Sequence, residues 1–264
     1  MPPFWNLRPC FLRMKMAESA CYPNAYITAF EATWPALRRE PVGPFIYRDG
    51  AGGGSRTSAA TLDGNFSTGD VSADALDQIE SRFAADARPA LFQIRTGEAA
   101  FDALLIERGY TMFDPTICLA APIEAFAPSD PKCSYVSWPP VSIQREIWAE
   151  GGIGPARLAV MDRACAPKTS LLGRIKDRPA GVGFVALSGS VAVLHALEIT
   201  PTERRKGMAR ILVTLAADWA RTQGAATLAL QVTRANTAAL ALYSSLGLRE
   251  IGQYHYRTKP MTEA

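Results

Sequence analysis

Residues Leu197–Leu212 have the sequence LEITPTERRKGMARIL, and this stretch decides the fold of the second half of the chain. An apolar strand ends at Pro201, a basic loop leads to Gly207, and a helix begins just after it. The first amides of a helix have no partner inside it and, together with the helix dipole, favour an anion. Gly207 lets the backbone approach that anion closely, and the small side chain of Ala209 leaves space at the first helical turn. The stretch therefore predicts an anion site at this helix start.

Basic side chains surround the same helix start and add Coulomb attraction: Arg204, Arg205, Lys206 and Arg210. This combination favours a pyrophosphate as the anion. The chain has no GK[ST] motif here, which excludes a Walker-type phosphate loop. A basic surface loop in front of an ordinary helix remains the alternative interpretation.

A second informative segment, NTAALALYSSLGL, spans Asn236–Leu248. Asn236 is placed to cap a helix that begins at Thr237, and Gly247 ends that helix. Tyr243 projects from one face of it. Taken alone, the segment is equally consistent with an ordinary capped helix whose tyrosine packs in the core.

In this order, on a β-β-β-α-β-α-β frame, the two segments resemble the GNAT superfamily of N-acetyltransferases. Arg204-x-x-Gly207-x-Ala209 matches the family's [Q/R]-x-x-G-x-[G/A] loop, which binds the pyrophosphate of acyl-CoA. Asn236 and Tyr243 match its N-x-x-A-x-x-L-Y-x-x-x-G-[F/L] segment. The resemblance is specific over about 134–256 and faint before that.

The resemblance implies that acetyl-CoA, as co-substrate, lies between splayed strands at Val191–Ile199 and Thr227–Val232. Asn236 would reach the CoA arm, and Tyr243 would protonate the leaving thiolate, as a phenol of pKa about 10 can do at neutral pH. Backbone groups at two positions would hold the pantetheine and thioester, Leu197 and Ile199. The pyrophosphate would lie on the loop amides and first helical turn, formed by Arg205, Lys206, Gly207, Met208, Ala209 and Arg210.

The general base is not identified by the resemblance. Ribosomal-protein N-acetyltransferases carry a Glu on the strand before Asn236, where this chain has Gln231, which cannot act as a base. Glu198 and His195 are the candidates, and they point to opposite faces of their strand unless a bulge intervenes. Glu198 is equally consistent with an ion-paired surface residue, and His195 with a hydrogen-bonded core residue.

Acceptor specificity is expected from the helix pair over Ile143–Ala164 and from the final strands. The candidate acceptor-binding residues are Trp148, Glu150, Ile153, Arg157, Tyr254 and Tyr256. Tyr254 and Tyr256 share one face of an alternating strand and His255 takes the other. Each of these side chains has a packing or surface role as its alternative.

The two halves of the chain resemble each other. Gln93–Tyr110 aligns without gaps on Gln231–Leu248, and both segments predict strand, helix, glycine and strand. The first copy has Glu98 in place of the asparagine and Leu105 in place of the tyrosine. We expect a degenerate half without acetyl-CoA, which shapes the acceptor site or extends the sheet.

The predicted fold is α/β, with tandem GNAT-like units that each have a mostly antiparallel twisted sheet flanked by helices. The expected divisions are an extension without its own fold at 1–20, the degenerate unit at 21–128 and the catalytic unit at 129–264. Within the first unit, Arg56–Leu62 is predicted as a strand that follows a flexible glycine hairpin at Gly50–Gly54, and Ala121–Pro131 as a linker.

Composition excludes several classes of protein. The chain has 264 residues, 48% of them hydrophobic and 20% charged, which excludes a disordered or fibrous chain. A net charge of +3 does not indicate a nucleic-acid or membrane partner. Five scattered cysteines and two histidines predict neither a metal site nor a disulfide framework, so a reducing cytoplasm is expected. The basic start lacks a signal-peptide pattern, and Met14 and Met16 are alternative starts.

The sequence thus predicts an acetyl-CoA-dependent N-acetyltransferase without a metal, monomeric or homodimeric, which acts by direct attack of a small-molecule amine or amino acid. Acetylation of a protein N-terminus or lysine is the enzymatic alternative. A non-catalytic acyl-CoA-binding regulatory module is the alternative from another class.

Overall fold

The computed structural model of the chain describes residues 24–129 and 134–260. The predicted extension at 1–20 and three of the cysteines, Cys10, Cys21 and Cys133, lie outside these residues. The helices are α1 (Asn24–Thr33), α2 (Ser55–Ser58), α3 (Ala73–Ala85), α4 (Ala99–Glu107), α5 (Ser142–Glu150), α6 (Pro155–Arg163), α7 (Met208–Thr222) and α8 (Thr237–Ser245). The strands are β1 (Arg38–Val42), β2 (Phe45–Asp49), β3 (Thr61–Leu62), β4 (Leu91–Arg95), β5 (Thr111–Pro122), β6 (Ser134–Ser137), β7 (Lys168–Ile175), β8 (Arg178–Ser188), β9 (Val191–Ile199), β10 (Thr227–Thr233) and β11 (Arg249–Thr258).

Eight of these strands form one mixed sheet, in the order β4-β11-β5-β10-β9-β8-β7-β6, and β1-β2-β3 form a small second sheet. The β6-β7-β8-β9 part is antiparallel, whereas β9 and β10 run parallel. Helices flank the sheet on both faces, which confirms the predicted fold class.

The two halves exchange their last strands within the large sheet. β11 from the second half lies between β4 and β5, and β5 from the first half lies between β11 and β10. The repeated segments correspond to β4-α4-β5 and β10-α8-β11, so equivalent strands occupy equivalent places in this exchange. The first half therefore extends the sheet of the second and completes it.

Separate hydrophobic clusters cover the two faces of the sheet around β9 and β10. On one face, α7 and α8 pack against alternate residues of β10, such as Leu228 and Leu230. On the other face, α1 packs against the intervening residue Ala229, and α5 and α6 pack against β8. An opening between β9 and β10 would thus connect the face covered by α7 and α8 with the face covered by α1, α5 and α6.

Three local predictions in the first half need correction. Arg56–Leu62 was predicted as a strand, but Ser55–Ser58 form the short helix α2 and only Thr61–Leu62 are extended. The loop at Gly50–Gly54 was predicted as a flexible hairpin, but it packs against α6. A Cβ on Gly53 would lie only 2.6 Å from Cγ2 of Val160. The predicted linker begins too early, since β5 continues to Pro122 and a short 3-10 helix follows.

Two further findings concern the described residues alone. None of their helices is long and apolar enough to cross a membrane. No three His, Cys, Asp or Glu side chains in these two ranges come together as a set of metal ligands, and the two cysteines there, Cys118 and Cys165, are not joined in a disulfide.

Candidate active site

The strands β9 and β10 separate in the middle of the sheet. Their parallel ladder joins Val191–Leu194 to Thr227–Leu230 and, in the described part of the chain, ends there. The rest of β9 still pairs with β8 on its other side. This leaves a wedge between Ile199 at the end of β9 and Thr233 at the end of β10.

A β-bulge in β9 causes this separation. Val182 on β8 faces Glu198, and Phe184 faces His195, so β9 uses three steps where β8 uses two. Ala196 inside the bulge has a positive φ of 49°. The indole of the buried Trp148 donates a 2.8 Å hydrogen bond to the carbonyl of Ala196 and holds the bulge in place.

The start of α7 lies beside the open end of β9. Gly207 is its N-cap with a φ of 87° and makes no side-chain cap, while Arg205 also has a positive φ. Helix geometry leaves the amides of Met208, Ala209 and Arg210 without partners inside α7. These features fit an anionic group that approaches the helix start along its axis.

The basic side chains of this loop differ in their contacts. Arg204 binds the Glu198 carboxylate at 3.1 Å and the carbonyl of Ile199 at 3.2 Å. Arg210 donates to Ser245 at the end of α8, and Lys206 pairs with Glu203. Arg205 is exposed and, among the residues described, has no hydrogen-bond or ionic partner. It is therefore the cation of the loop most available to a ligand phosphate.

The helix α8 carries the two other predicted cofactor residues. Asn236 caps it, since its side chain accepts a 3.1 Å hydrogen bond from the amide of Ala239, as predicted. Tyr243 is buried against α7 and β10, and burial raises its pKa to about 12. Its hydroxyl makes no hydrogen bond within the described ranges. A protonated donor thus lies on the α7–α8 face of the sheet.

The two candidate bases lie on the opposite face. The bulge brings Glu198 and His195 to the same face of β9, so the alternation expected for a regular strand does not hold. Glu198 packs over Gly151, where a Cβ would lie 2.6 Å from its Cγ, and its Oε2 has no partner in the part of the chain described. Both nitrogens of His195 are engaged, with Thr33 at 2.8 Å and Arg56 at 3.3 Å.

His195 is a neutral residue at physiological pH. Burial, with a smaller contribution from the charge of Arg56, holds its pKa well below the ordinary 6.5. Thr33 donates its own hydroxyl proton to Ala29, so Nε2 of His195 donates to Thr33 and Nδ1 accepts from Arg56.

A cavity of about 270 Å³ lies on this second face, next to the bulge. Four of the predicted acceptor residues line it: Ile153, Arg157, Tyr254 and Tyr256. Two others do not, because Trp148 is buried behind the bulge and Glu150 is exposed at the end of α5. The first half of the chain contributes the rest of one wall, including Trp34, Arg56, Asp114 and Thr116.

A larger cavity of about 460 Å³ adjoins the first one and belongs mainly to the first half. The two cavities share four lining residues, Trp34, Arg56, Gln231 and Tyr254. Sequence reasoning missed Trp34, Arg56 and Asp114 because each lies more than a hundred residues before β10 in the chain. The glycine-rich loop before α2 was the only local signal near them.

Known proteins resemble this chain over both halves. The profile of the Acetyltransferase (GNAT) family matches residues 133–248. An uncharacterized N-acetyltransferase of Bacillus subtilis, YobR, is 22% identical over 86% of this chain and 95% of its own length. The ribosomal protein bS18-alanine N-acetyltransferase of Salmonella typhimurium is 36% identical, but over only 28% of this chain and 50% of its own length. A solved GCN5-related N-acetyltransferase from Kribbella flavida has the same fold, with a TM-score of 0.69 at 17% identity over 90% of this chain and 94% of its own.

Proposed function

We propose that this chain transfers an acetyl group from acetyl-CoA to the primary amine of a small molecule or amino acid, because its residues 133–248 match the profile of the Acetyltransferase (GNAT) family. The similar proteins are N-acetyltransferases with this fold. This agrees with the GNAT resemblance of the two motifs at Arg204–Ala209 and Asn236–Gly247. The acceptor and the roles of individual residues are our proposal.

The separation of β9 from β10 is the observation that carries the proposal. The separation opens the sheet between its two faces. One face carries the anion-binding start of α7 and the protonated Tyr243, and the other carries the cavity next to the bulge. A donor and an acceptor can therefore meet in the wedge from opposite sides without competing for one surface. Direct attack of an amine on a thioester requires the two groups to be held close together, and this arrangement allows it.

The residues of the α7–α8 face fit acetyl-CoA, which supplies an acetyl group activated as a thioester. The amides at the start of α7 and the side chain of Arg205 suit the pyrophosphate. In the described ranges, β9 has no ladder partner on its β10 side beyond Leu194, and this edge, which includes Leu197 and Ile199, suits the amide groups of the pantetheine. Asn236 lies at the start of α8, where the cofactor arm would pass.

Tyr243 is proposed as the general acid. A phenol with a pKa of about 12 stays protonated at neutral pH and donates to a thiolate with a pKa of about 8.5. Its hydroxyl has no competing partner among the described residues, so the donor is free for this role. Burial thus keeps the proton on the residue until the thiolate leaves.

Glu198 is the better candidate for the general base. Its Oε2 is free of protein partners in the described ranges, and 22% of the side chain is exposed at the edge of the wedge. His195 would have to give up the hydrogen bond from Arg56 before Nδ1 could accept a proton. Arg204, which binds Oε1, would hold the Glu198 carboxylate turned toward the wedge.

The acceptor side favours a small molecule over a protein chain. Trp34, Arg56 and Asp114 of the first half wall the cavity next to the bulge. An extended peptide needs a groove that is open at both ends, whereas this cavity has walls from both halves. This observation supports the small-molecule proposal.

The test is an assay of thiol release from acetyl-CoA with a panel of amines and amino acids, with mass spectrometry of each product. We expect one thiol released for each N-acetylated amine, and a loss of turnover in Tyr243→Phe. Tight binding of acetyl-CoA with no turnover on any amine would support a non-catalytic module instead.

A further inference from the structure

We propose that the acceptor carries a carboxylate as well as its amine, and that the guanidinium of Arg56 binds this carboxylate between the two halves of the chain. This inference rests on the function proposed above and names its class of acceptor. It assigns the first half a role in substrate recognition.

Arg56 occupies the junction of the two cavities. It projects from α2, lies over the ring of Trp34 at 5.0 Å from the ring centre, and lines both cavities. Its Nη1 donates to Oε1 of Gln231 on β10 and lies 3.3 Å from Nδ1 of His195 on β9. Contacts with β9, with β10 and with Trp34 just after α1 thus fix the guanidinium beside the point where β9 and β10 separate.

The charge of Arg56 is not neutralised by the protein. In the ranges that the structure describes, no carboxylate lies within ion-pair distance of it. The other arginines that line the larger cavity are paired: Arg39 and Arg48 with Glu31, and Arg95 with Glu98. Arg56 is therefore the cation in this cavity wall that is available to a ligand.

Gln231 is important for this availability. A glutamate at this position would have the same shape and would form an ion pair with Arg56. The neutral amide accepts the hydrogen bond of Nη1 and leaves the positive charge in place. Gln231 thus cannot serve as a general base on β10, but it leaves the neighbouring Arg56 free to bind an anion.

The unused donors of Arg56 have the geometry that a carboxylate needs. Nη1 makes the protein contacts, whereas Nε and Nη2 have no acceptor among the residues described. The Nε–Nη2 edge of a guanidinium is a planar fork that binds both oxygens of a carboxylate.

The position of this site relates it to the reaction. The smaller cavity extends from Arg56 to Ala196 in the bulge. A carboxylate at Arg56 would therefore direct the rest of a short acceptor toward the wedge, where the thioester is proposed to lie. Asp114, in the wall of the same cavity, offers a negative charge to an ammonium group.

The first experiment uses the unmodified full chain and matched acceptors. Each of the twenty standard amino acids is compared with its carboxamide and with the amine that lacks the carboxyl group, by initial rates at saturating acetyl-CoA. We expect kcat/KM to be about 10- to 100-fold higher for the amino acid that is accepted than for its carboxamide. Equal rates for carboxylate and carboxamide would overturn the proposal.

The second experiment changes the site. Arg56→Gln and Gln231→Glu should each raise KM for the amino acid about 10- to 100-fold and leave KM for its carboxamide within about twofold. Arg178→Gln removes an equal charge from an exposed position outside both cavities and should change neither value. Equal losses on amino acid and carboxamide in the first two variants would show that Arg56 does not recognise the carboxylate.

Two controls keep the proposals separate. Calorimetry of amino-acid binding to the complex with CoA tests the site even when no transfer occurs. Arg56-dependent binding without turnover would support the carboxylate site and contradict the transferase. Turnover of neutral amines alone would support the transferase and contradict the carboxylate site. A preference for phosphoethanolamine over every amino acid would overturn the choice of carboxylate.

Discussion

Gly207→Ala tests the helix start of α7 directly. Gly207 has a φ of 87°, and no described heavy atom lies within 4 Å of the place of a Cβ. The substitution therefore adds backbone strain without a steric clash. An L-residue in this conformation costs about 1–2 kcal/mol. The loop is exposed, so we expect it to relax in the free protein and release that strain.

A relaxed loop must return to its original conformation to bind the pyrophosphate. The strain then appears in binding, and the Kd for acetyl-CoA should rise about 5- to 30-fold. The thermal midpoint should change little. Isothermal titration calorimetry and thermal unfolding on the same samples measure both quantities.

Gly224→Ala is the matched control at the other end of the same helix. Gly224 has a φ of 80°, and its Cβ position is equally open among the described residues. The strain there cannot affect the pyrophosphate site, so we expect a thermal midpoint lower by about 2–8 °C and an unchanged Kd. A Kd for Gly207→Ala within twofold of the unmodified protein would refute the assigned role of this loop.

Three further predictions concern titratable groups. Tyr243→Phe should lower kcat about 10²- to 10⁴-fold with an unchanged Kd for acetyl-CoA, and a loss below about threefold in steady-state assays would remove the phenol from the mechanism. Because the pKa of Tyr243 is about 12, the pH profile of kcat between pH 8 and 10.5 should show no loss from this residue; a fall centred near pH 10 that Tyr243→Phe abolishes would contradict its burial. The unfolded chain binds a proton at His195 more readily than the folded chain does, so stability falls on acidification below pH 6.5. Urea unfolding at pH 7 and 5 should show this loss, and His195→Gln should lack it; an identical pH dependence in both proteins would contradict a neutral buried histidine.

Elements with strong local signals could be predicted from the sequence. β9 was predicted as Val191–Ile199 and has these bounds, because its apolar run ends at a proline and begins after a glycine turn. The cap of α8 by Asn236 and the start of α7 after Gly207 also depend on neighbouring residues alone. Local hydrogen bonding and helical periodicity are sufficient for such features.

The contribution of the first half could not be predicted in the same way. Arg56 reaches Gln231 across 175 positions of the chain, and no local pattern encodes such a contact. The residues after Arg56 were predicted as a strand, but Ser55–Ser58 form a helical turn that follows a glycine loop packed against α6. The bulge at Ala196 depends on the hydrogen bond from Trp148, 48 positions away.

A crystal structure of the full chain with CoA would test the central claim most directly. We predict the sulfur in the wedge between β9 and β10, within hydrogen-bond distance of the Tyr243 hydroxyl, and the pyrophosphate on the amides of Met208–Arg210. CoA bound away from this wedge, or a Tyr243 hydroxyl that does not reach the sulfur, would contradict the account.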